Sequence, residues 1–152
     1  MHCICLLLTQ SGHGRDLSQC RFEPLRDARE IERGVATFAR LANGGLVVAA
    51  SPGALIHLDL IVALADRYKL PTVYWDRPFV PNGGLISYGA DLIDQHPQAA
   101  SYIDRILKGE KPADLPVQAP NKYELAINLK TAKALGLSVS PALLARADKV
   151  IE

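Results

Sequence analysis

The sequence predicts an α/β fold, a parallel sheet built into a three-layer sandwich. Three observations carry this. Short apolar runs at 45–50, 72–75 and 85–88 alternate with longer segments of helical periodicity. The first of them is continuously apolar rather than alternating, the pattern of a strand covered on both faces. The connections are short and hold proline or glycine, as Ser51-Pro52-Gly53 and the loop 76–84 do.

Residues 1–21 stand apart from this pattern. The apolar run Ile4-Cys5-Leu6-Leu7-Leu8 is followed by Gly12-His13-Gly14, but the third glycine of a dinucleotide fingerprint would fall at Leu17 and no βαβ unit follows. From Asp27 the helical pattern is clear. Ile31, Val35, Phe38 and Ala42 share one face, and Asp27 with Glu30 has the three-residue spacing of a capping box. Asn43-Gly44 ends that helix, and a strand follows at 45–50. A second helix is expected over 55–68, then the strand 72–75 opened by Pro71, then the strand 85–88.

A longer helix is expected over 92–108, with Ala99, Tyr102, Ile103 and Ile106 as its apolar stripe and Pro97 in the first turn of its regular part. Gly109 stands where a helix stop belongs, and 111–116 reads as an extended connector. A strand at 123–128 precedes a short helix, 129–135, capped by Asn128 and closed by Gly136. Ser140-Pro141 has the form of a cap and first-turn pair opening a last helix.

Composition removes several classes of function. The chain has 152 residues, 49% of them hydrophobic and 22% charged, and a formal net charge of +1. That balance offers no electrostatic footprint for nucleic acid. No apolar run approaches the ~20 residues that a bilayer requires. Cys3, Cys5 and Cys20, even with His2 and His13, match neither a disulfide framework nor the spacing of a structural zinc site. The segment 4–8 lacks a basic stretch before it and a cleavage site after it, so no export signal is read there.

Candidate binding residues follow from the expected topology, because ligands of open α/β sheets gather outside the carboxyl ends of the strands. Ser51, Trp75 with Asp76, and Tyr88 with Gly89 all fall at such ends. Ser51 and Gly53 also open a helix, where backbone amides favour a carboxylate. Each position has a structural alternative: Ser51 as a helix cap, Trp75 as a core anchor, Asp76 as the surface partner of Arg77. Catalytic patterns are missing from the text of the sequence. His57 and Asp59 share an amphipathic helix with no activated Ser or Cys beside them, and neither Gly-x-Ser-x-Gly, a P-loop nor His-Glu-x-x-His occurs. A binding protein without cofactor or metal is therefore expected rather than an enzyme.

Three ordered blocks carry a family resemblance: GGLISYG at 83–89, ASYIDRILKGEKPADLPV at 100–117 and KYELAINLKTAKALG at 122–136. Together they resemble the C-terminal half of ABC-transporter substrate-binding proteins of the TrpX-like group, over about residues 22–152. The resemblance implies part of a type I periplasmic-binding-protein fold, with a small polar solute held between two α/β lobes. It implies a membrane permease as partner and a periplasmic location, although without an export signal cytoplasmic retention stays open. Residues 27–80 then correspond to a unit of the second lobe, 85–108 to the return into the first, and 123–152 to the crossing back.

The chain departs from that family in two respects. Residues 1–21 stand where a signal peptide and most of the first lobe are expected, so solute capture by these residues alone is in question. The first strand end reads Ala49-Ala50-Ser51-Pro52, where relatives often carry Asp or another polar residue. Without a first lobe, the stripe on helix 92–108 is expected to be exposed and to promote self-association. Two other readings share parts of this architecture: the ligand-sensing domain of a transcriptional regulator, and a small flavodoxin-like enzyme.

Overall fold

The computed structural model describes residues 4–6, 21–23, 27–40 and 44–152, with side chains described for 27–40 and 44–152. Cys3, Cys20, His2, His13 and the Gly12–Gly14 pair lie outside these residues, as do Ala42 and Asn43. Asp27 has extended backbone, and its carboxylate accepts a hydrogen bond from the Glu30 amide at 2.9 Å. This satisfies one of the amides that a helix start leaves free and launches α1 (Ala28–Phe38). Ile31, Val35 and Phe38 fall on its buried stripe, as the periodicity predicts.

Two short strands, β1 (Ile4–Leu6) and β2 (Arg21–Glu23), pair antiparallel on their own. Among the described residues the main sheet has five strands: β3 (Leu46–Val48), β4 (Thr72–Tyr74), β5 (Ile86–Ala90), β6 (Tyr123–Asn128) and β7 (Lys149–Ile151), adjacent in that order. β3 and β4 run parallel with Leu46 opposite Thr72 and Val48 opposite Tyr74, and β5 continues parallel with Ser87 opposite Tyr74. The sheet is mostly parallel and the class is α/β. One pairing differs from a wholly parallel layer: β6 enters antiparallel to β5, with Tyr88 opposite Leu125, and β7 then runs parallel to β6.

The helices that precede β4 gather on the face of Leu46, Val48, Thr72 and Tyr74. Ile31, Val35 and Phe38 of α1 join Ile61, Val62 and Leu64 of α3 (Leu58–Arg67) and the strand residues Leu46, Val48 and Tyr74 in one buried cluster. Each large aliphatic side chain buried this way stabilises the fold by about 1.5–3 kcal/mol. Phe79 completes the cluster, its ring stacked on that of Tyr74 with centroids 4.6 Å apart. The Asn128 side chain, buried, donates to the Val80 carbonyl at 3.1 Å and accepts from the Thr131 amide at 3.1 Å. Thr131 in turn donates to the Gly83 carbonyl, so α5 (Leu129–Ala134) is tied to the loop before β5. The opposite face of the sheet is less covered: Val73 on it is 39% exposed.

Several boundaries differ from the sequence expectation. The helix expected over 55–68 begins earlier and is two, α2 (Pro52–Ile56) and α3, because His57 between them leaves helical geometry at φ −105°, ψ 24°. Pro97 does not open α4 (Leu92–Leu107) but lies inside it, since Asp91 is the cap and accepts from the Ile93 and Asp94 amides. A proline there leaves the Ile93 carbonyl without its helical donor, and the His96 ring nitrogen approaches that oxygen at 3.4 Å. The last helix, α6 (Pro141–Leu144), is a single turn capped by Ser140, and β7 after it was not foreseen. Gly109 at φ +99° and Gly136 at φ +69° take the left-handed conformation that their places at helix ends require.

α4 contributes no buried residue. Its partners are in the connector that follows it: Arg105 forms a two-pronged pair with Glu110, Tyr102 donates to the Pro116 carbonyl, and Gln98 reaches Asn121 at 3.2 Å. Ile103, on the expected stripe, is 57% exposed.

Candidate functional site

Because β3, β4 and β5 are parallel, their carboxyl ends share one edge of the sheet. The five residues singled out in the sequence all stand at or beside that edge, but in different circumstances. Ser51 is buried and caps α2, its hydroxyl accepting from the Ala54 amide at 3.1 Å. The carboxylate seat expected at Ser51 and Gly53 is reduced accordingly: α2 has five residues, and Ser51 itself occupies the cap.

Trp75 is half-buried against the central cluster, with its indole nitrogen shielded from solvent and without a hydrogen-bond partner among the described residues. Asp76 caps a 3-10 turn (Arg77–Phe79), accepting from the Arg77 amide at 2.8 Å. The Arg77 guanidinium does not pair with Asp76 but lies 3.5 Å from Glu124 on β6. Gly89 serves packing. A Cβ on it would meet the Trp75 carbonyl oxygen, which leaves no room for a larger residue where β5 passes β4.

Tyr88 is the one of the five whose side chain stands open, at 58% exposure. It stacks on Tyr123, the first residue of β6 and itself 47% exposed, with centroids 5.6 Å apart and planes 18° apart. One step beyond, the Asp91 amide bonds the Lys122 carbonyl at 3.0 Å, and the Lys122 ammonium meets the Asp91 carboxylate at 2.6 Å. The hydrogen bond from Lys122, with the two amides at the start of α4, holds the Asp91 carboxyl below the ordinary range, and the same bond raises Lys122.

The sequence alone does not single out Tyr123 or the Asp91–Lys122 pair at this edge. The text of the sequence held one signal: strand 123–128 was recognised, but an antiparallel return that brings its first residue to this edge follows from no local pattern. The recess enclosed by Val62, Leu70, Thr72, Tyr74, Gly83 and Leu85 lies at the opposite, amino-terminal end of the strands. It has room for roughly one water molecule and no solute. Tyr74 borders it with a hydroxyl that burial pushes up to about 12, the Thr72 hydroxyl offsetting a smaller part. Among the described residues no group of His, Cys, Asp and Glu side chains forms a metal site, and no helix is long and apolar enough to cross a membrane.

The family model for ABC transporter substrate binding proteins matches residues 43–151. Among solved structures, an ABC domain from Streptococcus pneumonia in complex with L-Trp superposes with a TM-score of 0.74 at 27% identity, over 84% of this chain and 44% of its own. A conserved domain protein from Vibrio cholerae O1 biovar El Tor has the same fold, with a TM-score of 0.74 at 24% identity over 82% of this chain and 42% of its own. So does a ligand-free, open substrate binding protein with adhesive properties from Clostridium difficile, at a TM-score of 0.59 and 18% identity, over 85% and 43%. The chain thus spans less than half the length of each. No curated protein matches it.

Proposed function

The chain belongs to the ABC transporter substrate-binding protein family, a family of binding proteins rather than enzymes, and from that premise we propose that it supplies one wall of a solute cleft in an import system. The solute is small and polar, an amino acid, held against the edge where β3, β4 and β5 end. Ser51, Trp75, Asp76, Tyr88 and Gly89 are the residues of that wall: Tyr88 makes contact, while Ser51, Asp76 and Gly89 fix the loops around it. The observation that supports this reading best is the shared register of three parallel strands, whose ends form one edge. The L-Trp bound to the structurally similar pneumococcal domain supports the amino-acid class.

In this reading residues 27–80 form a unit of one lobe, 85–108 lead towards the other, and 123–152 cross back. α4, which buries nothing against its own sheet, packs on the first lobe, or on another copy of the chain when that lobe is lacking. Delivery is to a membrane permease, and the site of capture is the periplasm. Calorimetric titration with the twenty amino acids tests the solute class. Saturable heat with at least one of them is the expected result, and no heat with any of them overturns it.

A further inference from the structure

We propose that the recess at the amino-terminal end of the strands is the site of one structural water molecule, held by the Tyr74 hydroxyl and joining β4 to the loop before β5 and to α5. Tyr74 is 1% exposed, and its hydroxyl borders this recess without a hydrogen-bond partner among the described residues. Buried polar groups of folded proteins are nearly always paired, with another protein group or with an ordered water. The hydroxyl has no route to bulk solvent by turning away. Its ring is stacked on Phe79 with centroids 4.6 Å apart, and on its other side Gly84 approaches so closely that a Cβ there would stand 2.7 Å from the ring.

The groups that line the recess suit water. The Thr72 hydroxyl donates to the Leu70 carbonyl and the Thr131 hydroxyl to the Gly83 carbonyl, each at 2.9 Å. Both hydroxyl oxygens have thus committed their protons and keep lone pairs, as the Gly83 carbonyl does, while Tyr74 keeps a proton to give. A water that accepts from Tyr74 and donates to two of those oxygens has the roughly two to four partners that a buried water needs. An apolar guest would leave the Tyr74 proton unpaired. An ion would find no buried charge, because Asp66 at the border is exposed and pairs with Lys69 at 2.8 Å. The bonds from Thr131 to Gly83 and from Asn128 to Val80 tie α5 to the loop, and neither reaches β4. The water supplies that third connection.

The test is a pair of crystal structures, of the full chain and of Tyr74→Phe, at a resolution that shows single waters. The expected result for the full chain is a water within hydrogen-bond distance of the Tyr74 hydroxyl and of at least one of the Thr72 hydroxyl, the Thr131 hydroxyl and the Gly83 carbonyl. In Tyr74→Phe, which keeps the ring and removes the donor, the recess is expected to be dry. A full chain with no water beside the Tyr74 hydroxyl overturns the proposal. So does a water that keeps its place in Tyr74→Phe, since Tyr74 would then not be what holds it. Neither result touches the solute wall, which lies at the other end of the strands and is tested by titration.

Discussion

Gly89 crosses the Trp75 carbonyl so closely that a Cβ on it would stand 1.8 Å from the oxygen. β5 and β4 approach each other there without a side chain between them. Gly89→Ala must therefore push the strands apart at the edge that carries Tyr88. We expect a loss of at least about 1–3 kcal/mol, the usual cost of overpacking, measured by urea denaturation. Unchanged stability would show that the two backbones have room to separate.

The Tyr74 hydroxyl is buried and has no hydrogen-bond partner among the described residues, while the Thr72 hydroxyl beside it donates to the Leu70 carbonyl at 2.9 Å. Tyr74→Phe removes that polar atom and is expected to be neutral or stabilising at pH 7. The pH dependence has a definite sign. The phenol ionises near 10 when unfolded and near 12 when folded, so its contribution is complete below pH 10 and is lost as pH rises towards 12. Denaturation curves from pH 8 to 12 should show a shallower alkaline decline for Tyr74→Phe than for the parent chain. Identical declines count against the assignment.

Asn128 joins three elements through one buried amide group, bonding Val80 with its nitrogen and the Thr131 amide with its oxygen. Asn128→Ala removes a helix cap and leaves the Val80 carbonyl unpaired, a combined cost of about 2–4 kcal/mol. Asn128→Asp keeps the cap but sets a carboxylate oxygen against that carbonyl, so it too should destabilise at neutral pH. Equal stability of Asn128→Asp and the parent would mean that the bond to Val80 contributes nothing.

The Asp91–Lys122 pair gives a second pH signature. Asp91 has a lowered pKa when folded, so its contribution is present above the ordinary carboxylate range and is lost as pH falls through the depressed value. Lys122 is raised, so its contribution persists below the ordinary lysine range and disappears as pH climbs through the raised value. The stability difference between the parent and Lys122→Met should be level from about pH 5 to 10 and shrink on both sides. A difference that does not change from pH 2 to 12 would show that the ion pair has no part in it.

What was legible in the sequence is what local chemistry dictates. Asp27, Asn128 and Ser140 announce caps, Gly109 and Gly136 announce helix ends, and the apolar runs around Val48 and Val73 announce neighbouring parallel strands. Pro97 lies further inside α4 than the sequence predicts, because a proline in the first turn and a proline further in leave the same mark on the sequence; what separates them is the cap, which is Asp91. β7 was missed because its three residues, Lys149-Val150-Ile151, are too few to show a period. At the candidate edge the strand ends were legible, but the role of each residue was not. Whether Gly89 faces a ligand or another backbone, and whether Tyr88 has Tyr123 beside it, depends on the direction of β6, which is decided by pairing over a long separation.

That direction also bears on the segment between the paired strands. Parallel neighbours need a crossover to bring the chain back to its starting side, whereas antiparallel neighbours need only a tight turn. β5 and β6 are antiparallel, yet residues 91–122, with the whole of α4, are interposed between them. The wiring of the sheet would be preserved if a few residues replaced that excursion, and the sheet's interior would lose no side chain of α4. The excursion is an appendage to this sheet rather than one of its struts, so the reason for its length must be sought in whatever its outer surface meets.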